Sequence, residues 1–353
     1  MSPPAVPPAS ASDRVTAPDP AWIERFRRDM VALGEMPDGS LALAVSGGPD
    51  SMAMLALAHA AFPGAVIAAT VDHGLRAEAV DEAAMVANWC RAAGVAHTIL
   101  TPDTPIAGAS VQASARHARY ALLAGWALDA GACSLLTAHH ADDQAETFLM
   151  RAARGSGPGG LAGIRPRWTW ERHRWNGNGP RGPSLPILRP LLSWRRRELR
   201  DIATACHLPF VDDPSNADSR FDRVRMRQML AEHGWLDTAA IARSAQICAE
   251  VDADLNATIR WLQQSRTLES DANDRRIDVR DLPRELRRRL VRDAIGYVRD
   301  ICAVAEGSWS ESANVEALLE ALESGRGATL AGVMASAKGN IWHFREAPPR
   351  RSH

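Results

Sequence analysis

Apolar, β-prone runs alternate with helical patterns through the first half of the chain, the arrangement expected of βα units that build a parallel sheet. LALAV (41–45) leads into a helical pattern over 49–60, and VIAATV (66–71) precedes another over 78–93. VAHTIL (95–100) is followed by a long helical stretch over 110–129, and SLLTA (134–138) reaches His139 and a helix running to about Arg154. The pattern predicts an α/β fold with a doubly wound, mostly parallel, Rossmann-like sheet and a site beyond the carboxyl ends of its strands. After GSGPGG (155–160) the periodicity breaks into RPRWTWERHRWNGNGPRGPSLP, too rich in Gly, Pro, Arg and Trp for a regular element, which predicts an exposed hairpin or loop. A helical region without Gly or Pro runs from about Leu236 to Arg276. Further helices follow Pro283 and span 314–324, with Gly325 as the C′ residue, and ATLAGVMASAKGNIWHF closes as a β-hairpin. The expected organisation is a disordered tail over 1–20, a catalytic domain over 21–235 and a smaller, mainly helical accessory domain over 236–353.

Composition narrows the class. At 353 residues the chain exceeds what one core usually supports, and 46% hydrophobic with 24% charged residues is ordinary for a globular protein. No stretch is apolar enough to span a membrane, and the Pro/Ala/Ser-rich start lacks the basic n-region and apolar core of a signal peptide. Cys90, Cys133, Cys206, Cys248 and Cys302 form no C-x-x-C pair and no zinc spacing, so reduced thiols in a cytoplasmic protein are expected. Oligomeric state is left open, a homodimer included. The net charge of −1 hides one strongly basic segment: residues 165–200 carry ten arginines against Glu171 and Glu198. There Arg165, Arg167, Arg172 and Arg174 interleave with Trp168, Trp170 and Trp175, a pattern suited to backbone attraction and base stacking in RNA, or to tryptophans that fold back onto the core.

Candidate chemistry begins at Ser46-Gly47-Gly48-Pro49-Asp50-Ser51, directly after a strand and at a helix start, where free N–H groups and the helix dipole favour an anion. The glycines allow close backbone approach, Pro49 suits the first helical position, and Ser46 and Ser51 offer hydroxyls; the lysine of a Walker A loop is absent. Taken alone, the same six residues also fit a serine-capped turn. SGGPDS resembles the PP-loop, S-G-G-x-D-S, of ATP pyrophosphatases that cleave ATP between its α and β phosphates. That resemblance implies ATP held by Ser46 to Ser51, with Asp50 on Mg²⁺.

Four further stretches, VDHGLR (71–76), the Arg116-to-Tyr120 segment, TAHHADDQAETFLMRAARGSG (137–157) and DPSNADSRFDRVRMR (213–227), are similar in content and order to the tRNA(Ile)-lysidine synthetase family. The similarity is strong over about 40–230. A helix beginning near His139 puts His139, Asp143 and Glu146 on one face, an acidic stripe that favours a cation or an incoming amine. The resemblance implies Asp143 as a magnesium or lysine-site residue and Glu146 as a lysine-site carboxylate, with His139 contacting phosphate or substrate. Asp72 and His73 end the second strand, where they can meet the nucleotide; His73 also suits a turn cap. Arg116 and Arg119 lie at i, i+3, facing one anion or pairing with acids, and the resemblance favours Arg116 as the functional contact. Arg223, Arg225 and Arg227 alternate into a compact positive surface for the activated intermediate or tRNA phosphates. Relatives often carry R-N-R-I-R here, so Val224 stands in place of an asparagine.

The resemblance also implies the reaction. O2 of the wobble cytidine in the CAU anticodon of tRNA(Ile) attacks the ATP α-phosphate, pyrophosphate leaves, and the ε-amine of free L-lysine attacks C2 as AMP departs. The product, lysidine, switches reading from AUG to AUA. A PP-loop tRNA thiolase or another adenylating ligase is the alternative; thiolases commonly use a cysteine cluster that this sequence lacks.

Overall fold

The computed structural model describes residues 15–34, 39–72, 74, 78–102, 111–171, 183–212, 222–269, 271, 273–304, 309–310 and 313–348, apart from the side chains of 78 and 111–117. The chain divides into two compact units, with the division falling after residue 249.

The first unit begins with α1 (Pro20–Ala32), whose first turn is capped by the Asp19 carboxylate accepting from Ala21 N at 2.7 Å. Residues 1–14 of the expected tail lie outside the described residues, whereas Val15 packs against the core. There follow β1 (Leu41–Ala44), α2 (Pro49–Ala61), β2 (Val66–Val71), α3 (Glu78–Ala93), β3 (Ala96–Leu100), α4 (Val111–Asp129), β4 (Ser134–Leu136), α5 (Ala141–Ala152) and the single turn α6 (Pro158–Leu161). Next come β5 (Arg167–Glu171), β6 (Ser184–Leu188), α7 (Arg196–Ala205), α8 (Asp222–Glu232) and the start of α9 (Thr238–Arg266). The sheet order is β3-β2-β1-β4-β6-β5, parallel throughout except for β5, which pairs antiparallel with β6 at the edge. This is the doubly wound sheet expected from the alternating pattern.

Central position explains composition. β1 is apolar at every residue because helices cover both faces of the sheet, and α2 is apolar nearly all round because α1 and α7 pack on it. Met52, Leu55 and Leu57 of α2 are fully buried, and truncating any one to alanine removes about 2–5 kcal/mol. The fully buried Trp194, before α7, donates its indole N–H to Asp29 of α1 at 2.7 Å.

The segment after GSGPGG is a hairpin, but a regular one. β5 alternates Arg167, Thr169 and Glu171 outward with Trp168 and Trp170 inward, and both tryptophans pack half-buried against the cluster of Leu123, Leu135 and Ile187. The period-two alternation, overshadowed in the sequence by the charge and turn residues, turns both rings onto the core, the arrangement expected of the second of their two readings. Arg172, Arg174 and Trp175 lie outside the described residues.

The second unit contains the rest of α9, β7 (Thr267–Leu268), β8 (Arg275–Asp278), α10 (Arg284–Ile301), α11 (Glu316–Glu323), β9 (Ala328–Leu330), β10 (Val333–Lys338) and β11 (Ile341–Glu346). Its sheet, β7-β8-β11-β10-β9, is antiparallel and packs Ile277, Trp342 and Phe344 against Leu290, Ile295 and Leu319 of the helices. The helix expected to reach Arg276 ends ten residues earlier, since Arg275–Asp278 pairs with β11 and buries Ile277. The closing hairpin and the left-handed Gly325 (φ 72°) are as expected.

Candidate active site

The strand order reverses between β1 and β4: from β1 the chain winds outward to β2 and β3, and from β4 it winds the other way to β6. These neighbours are parallel and in register, Leu43 opposite Leu136, so the loops that leave their carboxyl ends emerge side by side. In doubly wound sheets that crevice is where ligands bind.

The loop after β1 is braced from within. Ser51 Oγ donates to Gly48 O at 3.0 Å and accepts from Ser46 N at 3.1 Å, while Gly47 O accepts from Val211 N at 3.0 Å. The buried Ser51 hydroxyl is therefore committed to the loop, and Ser46, the exposed one of the pair, has its Oγ 3.2 Å from Ser51 Oγ. Gly47 has φ 82°, in the left-handed region, with Met85 Cε only 3.3 Å from where a β-carbon would sit. Gly48 is the N-cap of α2 and supplies no side chain to cap it, which leaves the first turn's amides for an anion.

Across the crevice, His140 is the N-cap of α5. Its backbone N–H donates to Asp143 Oδ2 at 3.1 Å, and its Nδ1 accepts from Asp143 N at 3.3 Å. The ring is almost fully buried, and Nε2 lies 3.4 Å from Asp50 Oδ2 and 3.5 Å from Asp143 Oδ2. Burial opposes protonation of His140, yet Asp143, Asp50 and Asp142 outweigh it and raise the pKa. Nδ1 also lies 3.6 Å from Asp142 Oδ2. Burial likewise works against ionisation of Asp143, but His140, His139 and Arg223 hold its pKa below the ordinary value. Asp142 turns aside to accept from Arg196 N at 2.7 Å, fixing the start of α7.

Glu146, one turn further along α5, is 1% exposed. Arg227 Nε donates to its Oε1 at 2.8 Å, and Arg223 Nε lies 3.2 Å from Oε2 without hydrogen-bond alignment. Burial pushes the Glu146 pKa up, and Arg227 offsets this only in part. Two buried carboxylate oxygens, Asp50 Oδ1 and Glu146 Oε2, thus have no hydrogen-bond donor among the described residues. Such atoms are rare in native proteins and commonly mark a place for an ion or a ligand.

A family profile described as the PP-loop domain matches residues 23–234. The chain is 41% identical over 330 residues to a tRNA(Ile)-lysidine synthase of Novosphingobium aromaticivorans, covering 93% of this chain and 94% of that one. It is 40% identical over 317 residues to a tRNA(Ile)-lysidine synthase of Zymomonas mobilis, covering 89% and 90%. The chain belongs to the tRNA(Ile)-lysidine synthase family. Among solved structures, a U34-tRNA thiolase from Methanococcus maripaludis with its [4Fe-4S] cluster aligns at 18% identity and a TM-score of 0.52, over 64% of this chain and 78% of that one. At that identity the likeness is one of fold.

Placement of the family motifs follows the crevice. Asp50, His140 and Asp143 meet there, and Glu146 follows on α5 against α8. His139 precedes the helix rather than opening it, with Nδ1 3.0 Å from Thr137 Oγ1, so it does not share the helical face of Asp143 and Glu146. Asp72 Oδ1 accepts from Gly74 N at 2.8 Å and closes the turn after β2. His73 and the 213–220 stretch lie outside the described residues, as does the side chain of Arg116. The three arginines expected to form one positive surface are divided by the helical period of α8: Arg223 and Arg227, four apart, turn to Glu146, while Arg225 pairs with Asp222 on another face. Arg165 donates to Gly159 O and Arg167 to Leu33 O, so both brace neighbouring loops.

Sequence reasoning missed His140 and Gln144. The buried Gln144 amide accepts from Ile164 N at 2.6 Å and donates to Ala162 O and Ile164 O, clamping the turn after α6. The signal for His140 was the His139–His140 doublet: shifting the helix start by two residues makes the second histidine the cap.

Proposed function

We infer that the chain uses ATP to adenylate O2 of the wobble cytidine in the CAU anticodon of tRNA(Ile), then couples free L-lysine through its ε-amine to C2, with release of pyrophosphate and AMP. The carrying observation is the pair of buried, undonated carboxylate oxygens on either side of the switch-point crevice, Asp50 Oδ1 beside the phosphate loop and Glu146 Oε2 on α5. One suits a cation that accompanies the phosphates, the other the ammonium of the incoming lysine.

The residues fit Mg²⁺. The ion prefers oxygen ligands and is usually held by one or two carboxylates together with substrate phosphates, which matches Asp50 and Asp143. No group of three or more metal-ligating side chains occurs among the described residues, consistent with a site that phosphates complete. When bound, the ion neutralises charge on the pyrophosphate. The protein's own groups do the rest. The α2 amides and Ser46 hold phosphate oxygens, and the buried walls exclude water that would hydrolyse the adenylate. Glu146 and Asp143 hold and orient the amine, whose free pKa of about 10.4 leaves little nucleophile near neutrality, so lysine must lose a proton at the site before it attacks. Arg116, Arg223, Arg225 and Arg227 supply positive charge for the activated intermediate and for RNA phosphates, with Arg165 and Arg167 at the margin. Residues beyond about 236 act as the accessory tRNA-binding domain. A tRNA substrate places the enzyme in the cytoplasm.

The thiolase alternative is disfavoured by the cysteines, which are free and scattered, with Cys90 and Cys206 buried. Radiolabelled lysine should transfer to unmodified tRNA(Ile) bearing CAU only with ATP present, with one AMP formed per lysine. Sulfur incorporation, or AMP release without lysine transfer, rejects the reading.

A further inference from the structure

The N-cap of α5 is an unusual residue for its position. Caps are normally Ser, Thr, Asp or Asn, and an asparagine would satisfy the Asp143 amide as well as His140 Nδ1 does. An imidazole adds a second nitrogen one ring width deeper. Here Nε2 reaches 3.4 Å from Asp50 Oδ2 and 3.5 Å from Asp143 Oδ2, joining residues 93 positions apart in the chain. The ring is buried, 3% exposed, so these carboxylates rather than water are its partners. With Nδ1 given to the helix cap, Nε2 carries the ring hydrogen, and it lies within ion-pair distance of both acids without full hydrogen-bond alignment to either.

We propose that His140 is a positioning residue that holds the phosphate-loop carboxylate Asp50 beside Asp143, its Nε2 facing Oδ2 of each and leaving Asp50 Oδ1 as the oxygen offered to a nucleotide-bound divalent cation. Without the bridge, two half-buried carboxylates at the crevice repel each other and Asp50 is free to rotate. With it, both arrive preset. The inference rests on the function proposed above for the same crevice, but its test does not need lysine or tRNA.

Two variants separate cap from bridge. His140→Asn keeps an acceptor for the Asp143 amide and is too short to reach Asp50; His140→Gln places an amide N–H near the position of Nε2 and caps poorly. ATP binding is measured by calorimetry across a MgCl2 series, and melting temperature is recorded alongside. The Asn variant is expected to melt near wild type yet need about 10- to 100-fold more Mg²⁺ for the same ATP affinity, the usual loss when a group orienting a metal ligand is removed. The Gln variant is expected to melt lower and keep most of the Mg²⁺ response. A wild-type Mg²⁺ response in the Asn variant, or a Mg²⁺ response that follows melting temperature across both variants, overturns the proposal. If the Asn variant does not fold, the Gln variant decides: a response within about threefold of wild type supports the bridge and a loss of tenfold or more overturns it. Wild-type protein that binds no ATP at any Mg²⁺ concentration refutes the proposed function itself.

Discussion

Replacing Arg227 by methionine should cost more stability than replacing its partner Glu146 by glutamine, and the excess should vanish in acid. Glu146 is 1% exposed while Arg227 and Arg223 are 25% and 40% exposed, so the burden of an unpaired charge falls on the carboxylate. Methionine retains the apolar stem of Arg227, which confines the change to charge and hydrogen bonding. Stripped of that partner, the buried carboxylate either stays ionised or takes up a proton. Protonation sets the ceiling: neutralising near pH 7 a carboxyl whose ordinary value is 4.5 costs about 3.4 kcal/mol, at 1.36 kcal/mol per unit. Near pH 5 the same ceiling is below about 1 kcal/mol. The sign follows from linkage: a carboxyl with a raised folded-state pKa destabilises the fold increasingly as pH rises from its unfolded value through the folded one, and the variant raises that pKa further. Arg223 remains 3.2 Å away and keeps the loss under the ceiling, so about 2–3 kcal/mol near neutral pH is expected for Arg227→Met. Glu146→Gln leaves two arginines that reach water, with an expected loss of about 1–2 kcal/mol that is flat with pH. Urea unfolding near pH 7 and pH 5, with m held common, measures both. An Arg227→Met loss unchanged between the two pH values, or a Glu146→Gln loss equal to it at neutrality, refutes the argument.

Asp50→Ala and Glu146→Ala are each expected to abolish lysine incorporation while filter binding of tRNA persists; normal incorporation in either removes that residue from the chemistry. Gly47→Ala places a β-carbon at φ 82° against Met85, a strain of about 1–2 kcal/mol that should weaken ATP binding at least tenfold by calorimetry. Trp168→Ala should lower the unfolding free energy by about 2–4 kcal/mol through lost packing against Tyr120 and its neighbours, with tRNA affinity at 20 °C changed less than threefold; the reverse pattern restores the base-stacking role.

The sequence was most legible where one interaction dominates. Strands buried on both faces read as apolar runs, so β1 and β2 were placed to the residue or nearly so, and the SGGPDS loop could be located because its glycines and helix start are local requirements. Legibility failed where partners come from afar. Nothing near Arg275–Asp278 announces that β11 will pair with it, and the lack of Gly and Pro concealed the break even though Ser270, Asp271, Asn273 and Asp274 favour turns. Trp168 and Trp170 followed a two-residue alternation that the surrounding arginines masked. The basic character of Arg223 and Arg227 was evident, but their attachment to Glu146 depends on α8 packing against α5, which no spacing within either segment encodes.

The adjacency of β1 and β4 has a consequence for synthesis. The ATP loop is complete by Ser51, yet its acidic counterpart ends at Glu146, and only the pairing of Leu43 with Leu136 brings them together. At roughly 5–20 residues per second, the ribosome leaves the nucleotide cradle unopposed for on the order of 5–20 seconds. Even then the loop waits for the Val211 N–H that braces Gly47 O, so an unfinished polypeptide has no assembled site with which to turn over ATP.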